Sequence, residues 1–448
     1  MHNDEESTSG SNNLGRPIKA FTMREIVVCS VLIFVLAACV LSQTLEAPDP
    51  QVAAREVSST FHYGKGKGKG HHIRLNQLQV IGSHNSYHRE VSLSEREVFP
   101  ELIGESTPEN YYYSHASVHD QLEYQQIRSF EFDVFADSKG GLFADPLIRR
   151  LANMSDAERE HYALPQDVMQ RPGTKVLHVA DADVGTTCHT LVECLTQVRE
   201  WSDAQHRRHV PIPILLEFKM SNGPVEDKGG VRAEEWTTEV LDKVDKEIRS
   251  VFSPDRLITP DDIRRAAERA SGRKHLTLEE AILMRGPRGA GGWPTLDDAR
   301  GKVLFLMDNE PTHSVRVRDA YRAGGRDNLE GRVIFTNSEP GQPDAAFIKR
   351  NDPLGEKNQR EIKQLVSKGY LVRTRADVPL DTILNGKTDM REAAFASGAH
   401  IVSTDWPAPG SAGRYNSDYV VKFPRSRAAR CNPINAPKHC DDSALERL

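Results

Sequence analysis

The run Leu78-Gln79-Val80-Ile81-Gly82 ends in Ser83-His84-Asn85, so a histidine and an amide stand where an apolar segment stops. In "SFEFDVF", Glu131 and Asp133 are two apart and share one face of a strand, while Phe130, Phe132 and Val134 share the other. "VLHVADAD" puts His178 at the end of a third apolar run, and "PILLEFK" closes a fourth with Glu217 and Lys219, again two apart. Taken singly, each has a plain structural reading: a histidine at a strand end often only satisfies a turn, and paired carboxylates often only face water. Four successive strand ends carrying His, Asn, Asp, Glu or Lys read together as a site. Two carboxylates crowded into a segment this apolar repel each other and take raised pKa values unless a cation sits between them.

The residue types divide the labour. Glu131, Asp133 and Glu217, with the side-chain carbonyl of Asn85, form an oxygen-only, net-negative set that suits Ca2+. Mg2+ is less suited unless water supplies most of the ligands. His84 and His178 suit general acid and base work near neutral pH. Lys219, with Arg373 and Arg375 at the end of a later strand, can hold a phosphate. Metal, proton shuttles and cations together describe phosphoryl transfer.

Holding these residues at one place requires a framework of strands. Strand patterns cover 75–82, 129–135, 175–179, 212–218, 303–307, 333–336, 370–374 and 400–403, and helical spacing covers 190–206, 234–251, 356–368 and 389–397. This alternation over residues 73–448 implies a mostly parallel α/β sheet with both faces covered, either a closed (β/α)8 TIM-type barrel or an open doubly wound sheet. No glycine-rich nucleotide fingerprint follows any of the strands, which lowers the nucleotide-binding versions. A net charge of -6 over 448 residues leaves no nucleic-acid footprint.

Residues 1–25 form a polar tail, and 26–42 hold the uncharged "IVVCSVLIFVLAACVL", a transmembrane anchor or signal segment preceded by Arg16, Lys19 and Arg24. Either reading exports the remainder. Leu36-Ala37-Ala38-Cys39 also resembles a bacterial lipobox. Residues 43–72, with "GKGKGKG", read as a flexible linker. Downstream of the apolar segment, Cys188 with Cys194 and Cys431 with Cys440 form two close pairs, read as local disulfides or as four buried thiols. Trp293, in a glycine-rich stretch, is either a membrane contact or a packed loop residue.

The stretches "IGSHNSY", "QLEYQQIRSFEFDVF", "VLHVADAD", "ILLEFK", "GYLVRTRAD" and "GAHIVSTDWP" resemble the calcium-dependent phosphatidylinositol-specific phospholipases C of the PLC-like phosphodiesterase superfamily, in their secreted or membrane-associated microbial branch. The resemblance implies a distorted (β/α)8 barrel that cleaves phosphatidylinositol to diacylglycerol and an inositol phosphate at a membrane surface. It makes His84 and His178 the catalytic pair and Asn85, Glu131, Asp133 and Glu217 the calcium ligands. Lys219 matches a phosphate or inositol contact, and Arg373, Arg375 and Asp405 match by neighbourhood. No protein partner is implied. The nearest rival is a glycerophosphodiesterase on the same barrel, whose first motif reads His-Arg where this chain has His84-Asn85. A catalytically inert lipid-binding barrel is the rival of a different class.

Overall fold

The computed structural model describes residues 73–446 apart from 105–107, 285–291 and 312–314. The tail, the apolar segment 26–42 and the linker lie outside the described residues. Among those described, no helix is long and apolar enough to cross a membrane.

Among the described residues there are ten strands: β1 (Leu78–Ser83), β2 (Phe130–Phe135), β3 (Lys175–Val176), β4 (Ile212–Phe218), β5 (Val303–Met307), β6 (Ile334–Phe335), β7 (Phe347–Lys349), β8 (Leu371–Arg375), β9 (Ile401–Thr404) and β10 (Ala429–Cys431). They form two five-stranded sheets, ordered β10-β1-β9-β8-β7 and β3-β2-β4-β5-β6. Single parallel bridges, Gly82 to Ser129 and Asn337 to Phe347, join the edges of the two sheets. Eight strands therefore run parallel around a ring, β1-β2-β4-β5-β6-β7-β8-β9, regular within each half and thin at two seams. This is the distorted barrel that the resemblance implies, and the closed one of the two arrangements the alternating pattern left open.

Each seam has a local cause. At the β1/β2 seam a Cβ on Gly82 would lie 3.0 Å from Ser129 Cβ, a tight contact that glycine avoids where the two backbones meet. At the β6/β7 seam, side-chain amides extend a ladder that the short strands cannot. Asn337 Oδ1 accepts from Lys349 N (3.0 Å), and Asn337 Nδ2 donates to Asn309 O (3.1 Å). Asn309 in turn brackets Phe218, accepting from its N–H at 3.0 Å and donating to its carbonyl at 2.9 Å.

The expected membership of the ring needs one exchange. Residues 175–179 are not a stave: only Lys175–Val176 is extended, and it pairs antiparallel on β2. The stave that replaces it is β7, three residues long and below the length at which periodicity speaks. The helices follow their apolar spacing more closely. Leu191–Ala204 buries Leu191, Cys194, Leu195, Val198 and Trp201, and its Thr190 Oγ accepts from Glu193 N. Thr238–Val251 starts four residues later than 234, where Thr237 provides the cap. Asp389–Ser397 matches its expected limits.

Both cysteine pairs are disulfides, with Cα separations of 5.3 Å for Cys188–Cys194 and 6.1 Å for Cys431–Cys440. They fit an oxidising, extracytoplasmic compartment. Trp293 is fully buried and donates Nε1–H to Gly369 O at 2.9 Å, so it packs the core and does not touch a membrane. The closing segment lays β10 antiparallel on β1, and Glu446 accepts from the buried Arg128, whose guanidinium stacks on Trp201.

Candidate functional site

Alternation along β2 sends Phe130, Phe132 and Val134 one way and Glu131 and Asp133 the other. Glu131 Oε2 meets Arg373 Nη2 at 2.5 Å, and Arg373 is on β8, which is not a neighbour of β2. The polar face of β2 therefore points into the ring. All the residues considered next converge there or at the carboxyl ends of the strands.

His84 follows β1 directly. Ser86 clamps this turn to β2 twice, donating its N–H to Glu131 O (2.9 Å) and accepting from Glu131 N at Oγ (2.8 Å). Asn85 takes a left-handed φ of 45°, a conformation asparagine tolerates better than most residues, and its Nδ2 donates to Tyr113 Oη at 3.1 Å. His84 Nδ1 lies 2.8 Å from Asp405 Oδ1, and Arg375 Nη2 donates to Asp405 Oδ2 at 2.9 Å. A proton on Nδ1 satisfies Asp405 and leaves Nε2 as the lone-pair nitrogen, 3.6 Å from Glu131 Oε1. Burial, and then the Arg375 charge, hold His84 down to about 3 against the pull of Asp405. Arg375 thus cancels the carboxylate that would otherwise protonate the ring.

His178 is built differently. Its Nδ1 is 2.7 Å from Asp183 Oδ2, and the same oxygen is 2.8 Å from Nε2 of His88. The other nitrogen of His88, Nδ1, faces the Tyr113 carbonyl at 3.0 Å. Both nitrogens of this fully buried ring face acceptors, which calls for a proton on each. Burial opposes that state, but the Asp183 carboxylate raises the His88 pKa. Burial also works against ionised Asp183, yet His88 and His178 hold its carboxyl down to about 2. The His178 ring, partly exposed, packs against Tyr111 with centroids 5.1 Å apart.

Between the two histidines sit the carboxylates. Oxygens of Glu131, Asp133 and Glu217 lie within 4.8 Å of one another. Glu131 touches His84, while Asp133 and Glu217 both feel the charge of His178. Asp133 is buried and neither of its oxygens accepts a hydrogen bond, although Lys219 Nζ is 3.0 Å away. Burial raises the pKa of Asp133 against the pull of Lys219, and raises that of Glu131 against Arg373. Three converging carboxylates that share only two cations, with both Asp133 oxygens lacking a hydrogen bond, form an oxygen-only, net-negative set that a hard cation would satisfy, so the set fits Ca2+. Asp308 adds a fourth buried carboxylate beside Glu131, paired with Lys349 Nζ at 2.8 Å.

All the sequence-predicted site residues except the cysteines fall at this end of the ring. Arg373 is buried and fully engaged by Glu131, Ser403 and Asn351, whereas Arg375 keeps part of its side chain exposed. Asp405 stands against His84 and Arg375. The residues the sequence did not single out are His88, Tyr113, Asp183, Asp308 and Lys349. His88 was within reach, four residues beyond His84 in "SHNSYH".

A parallel ring with two histidine–aspartate pairs flanking a cation-seeking cluster defines a class, the metal-assisted phosphodiester-cleaving barrel enzymes. The family follows from comparison: residues 73–433 match the profile described as "Phosphoinositide phospholipase C, Ca2+-dependent". This chain belongs to that family of phosphatidylinositol-specific phospholipases C, which is calcium-dependent. Among solved structures it is similar to a calcium-dependent phosphoinositol-specific phospholipase C from Pseudomonas sp, with 14% identity, 82% of this chain and 97% of that chain covered, and a TM-score of 0.45. It is also similar to a Ca2+-dependent phosphatidylinositol-specific phospholipase C from Streptomyces antibioticus, with 18% identity, 76% and 96% covered, and a TM-score of 0.43. No curated protein sequence matches.

Proposed function

We propose that this enzyme cleaves phosphatidylinositol by intramolecular attack, with His84 as the proton acceptor and His178 as the proton donor. The inositol 2-hydroxyl oxygen bonds to phosphorus while the bond from phosphorus to the diacylglycerol oxygen breaks. The hydroxyl proton goes to His84 Nε2, and His178 Nε2 gives its proton to the departing diacylglycerol oxygen, leaving a cyclic inositol phosphate. The observation that carries this assignment is the His84–Asp405–Arg375 arrangement, which holds Nδ1 of His84 on Asp405 and leaves Nε2 facing the site. Asp183 holds His178 by Nδ1, so its Nε2 is the nitrogen that exchanges protons.

Glu131, Asp133 and Glu217, whose oxygens converge, would hold Ca2+, with the Asn85 side-chain carbonyl as the fourth ligand the resemblance implies. When bound, the ion lowers the pKa of the attacking hydroxyl and offsets charge on the phosphate. Arg375 and Lys219 are the cations that orient the phosphate, and Arg373 serves as the fixed counter-ion of Glu131. Exposed apolar side chains follow the carboxyl ends of several staves, Leu93 after β1, Met220 after β4, and Val378 and Leu384 after β8. They support action at a lipid surface on the exported side, with 26–42 as anchor or signal. Phosphorus NMR of phosphatidylinositol vesicles incubated with the protein and Ca2+ is expected to show a cyclic inositol phosphate. Turnover that survives excess chelator, or release of glycerol phosphate from deacylated substrate, overturns the reading.

A further inference from the structure

The ammonium of Lys219 lies within the carboxylate cluster, with Nζ 3.0 Å from Asp133 Oδ2 and 3.3 Å from Glu217 Oε1. These are two of the three carboxylates whose oxygens converge. The third, Glu131, already has a cation in Arg373. Arg373 is buried and held on its other sides by Ser403 and Asn351, so it stays. Lys219 is free to leave. Its backbone is pinned, with N–H donating to Val134 O and O accepting from Trp236 Nε1, each at 2.9 Å. Its side chain, however, stands just past the end of β4, keeps 19% of its surface exposed, and has a flexible four-carbon stem.

We propose that Lys219 is the resident counter-ion of the calcium site, competing with the metal for Asp133 and Glu217, and that the ammonium so displaced turns to the substrate phosphate. This rests on the reading of those carboxylates as calcium ligands. With all three ionised, as metal ligation requires, the carboxylates set against Arg373 leave two net negative charges, which Lys219 halves and a divalent cation cancels. After the exchange the ammonium is uncompensated and stands beside a neutral cluster. That is the field an incoming phosphodiester anion meets.

Calorimetric titration of Ca2+ into the wild-type protein and into Lys219→Met, both without lipid, tests the competition. Ca2+ is expected to bind Lys219→Met roughly tenfold tighter or more, because a unit charge has been removed from its path. Lys219→Arg, which keeps the charge, is expected to stay within roughly threefold of wild type. KM for phosphatidylinositol moves the other way, rising in Lys219→Met as the phosphate loses a cation. Equal or weaker Ca2+ binding by Lys219→Met overturns the proposal, whereas no Ca2+ binding by wild type overturns the ligand assignment beneath it. Wild-type protein labelled with 15N at lysine side chains gives a readout independent of the variants. The Lys219 ammonium is expected to be protected from exchange in chelator and to exchange rapidly in Ca2+; protection that persists in saturating Ca2+ overturns the displacement.

Discussion

His84 and His178 are indistinguishable as letters at strand ends, yet their surroundings differ, and the opposite tasks proposed for them rest on that difference. Arg375 cancels Asp405 beside His84, and His88 shares Asp183 with His178. Replacing either His84 or His178 with Ala is expected to lower kcat at least roughly a hundredfold, read by release of inositol phosphate, with unchanged turnover refuting a proton-transfer role. Asp183→Asn is expected to lower kcat by a similar order with little change in KM, because the His178 ring loses its orientation while the phosphate contacts remain. A KM effect alone would contradict that. The two histidines and the carboxylate trio were legible because an apolar strand cannot hide such groups without a reason. Asp183 was not, since "HVADAD" offers two aspartates. The other, Asp181, accepts backbone N–H groups of Leu147 and Val231 and shapes a loop.

Most elements long enough to show a period were legible, although the twelve-residue helix Pro260–Ser271 was not among those expected. Asp389–Ser397 and β5 read directly, and the pattern at 333–336 found the two-residue β6, whereas the three-residue β7 was missed. Where strands are this short, the ladder is carried by Asn309 and Asn337, a substitution of side chain for backbone that no hydrophobic pattern records. Asn337→Ala leaves the buried Lys349 N–H and Asn309 carbonyl without these partners, and is expected to cost about 1–3 kcal/mol of stability. Gly82→Val forces the β1/β2 seam apart and is expected to cost a similar 1–3 kcal/mol. Urea unfolding measures both, and a midpoint within error of wild type for either variant would show that the seam is not under that constraint.

At the scale of the whole molecule, buried neutral histidines tie stability to pH. His400 accepts from Val372 N and donates to Asn76 O, and His209 is enclosed by Ser202 and the Val210 carbonyl. Burial holds each down to about 4. Protons therefore bind the unfolded chain first as pH falls below the unperturbed value of about 6.5. The stabilisation is complete above that value and is lost between it and about 4, by up to roughly 3 kcal/mol for each ring. Thermal melts are expected to show Tm dropping across this window in wild type and dropping less steeply in His400→Gln. Equal slopes would assign the acid sensitivity elsewhere.

The pairing of β1 carries a consequence for biosynthesis. β1 is the first stave to leave the ribosome, but its in-ring partner along its length, β9, and its outer cover, β10, are made last. Its other neighbour, β2, reaches it only at the Gly82 bridge. The residues that begin the site at His84 therefore wait for more than three hundred others before their strand is covered on both edges. A chain interrupted before Ala429–Cys431 would carry the histidine motif intact on an unpaired strand edge. Translation arrest or proteolysis near that end would thus yield an aggregation-prone product with every predicted catalytic residue present.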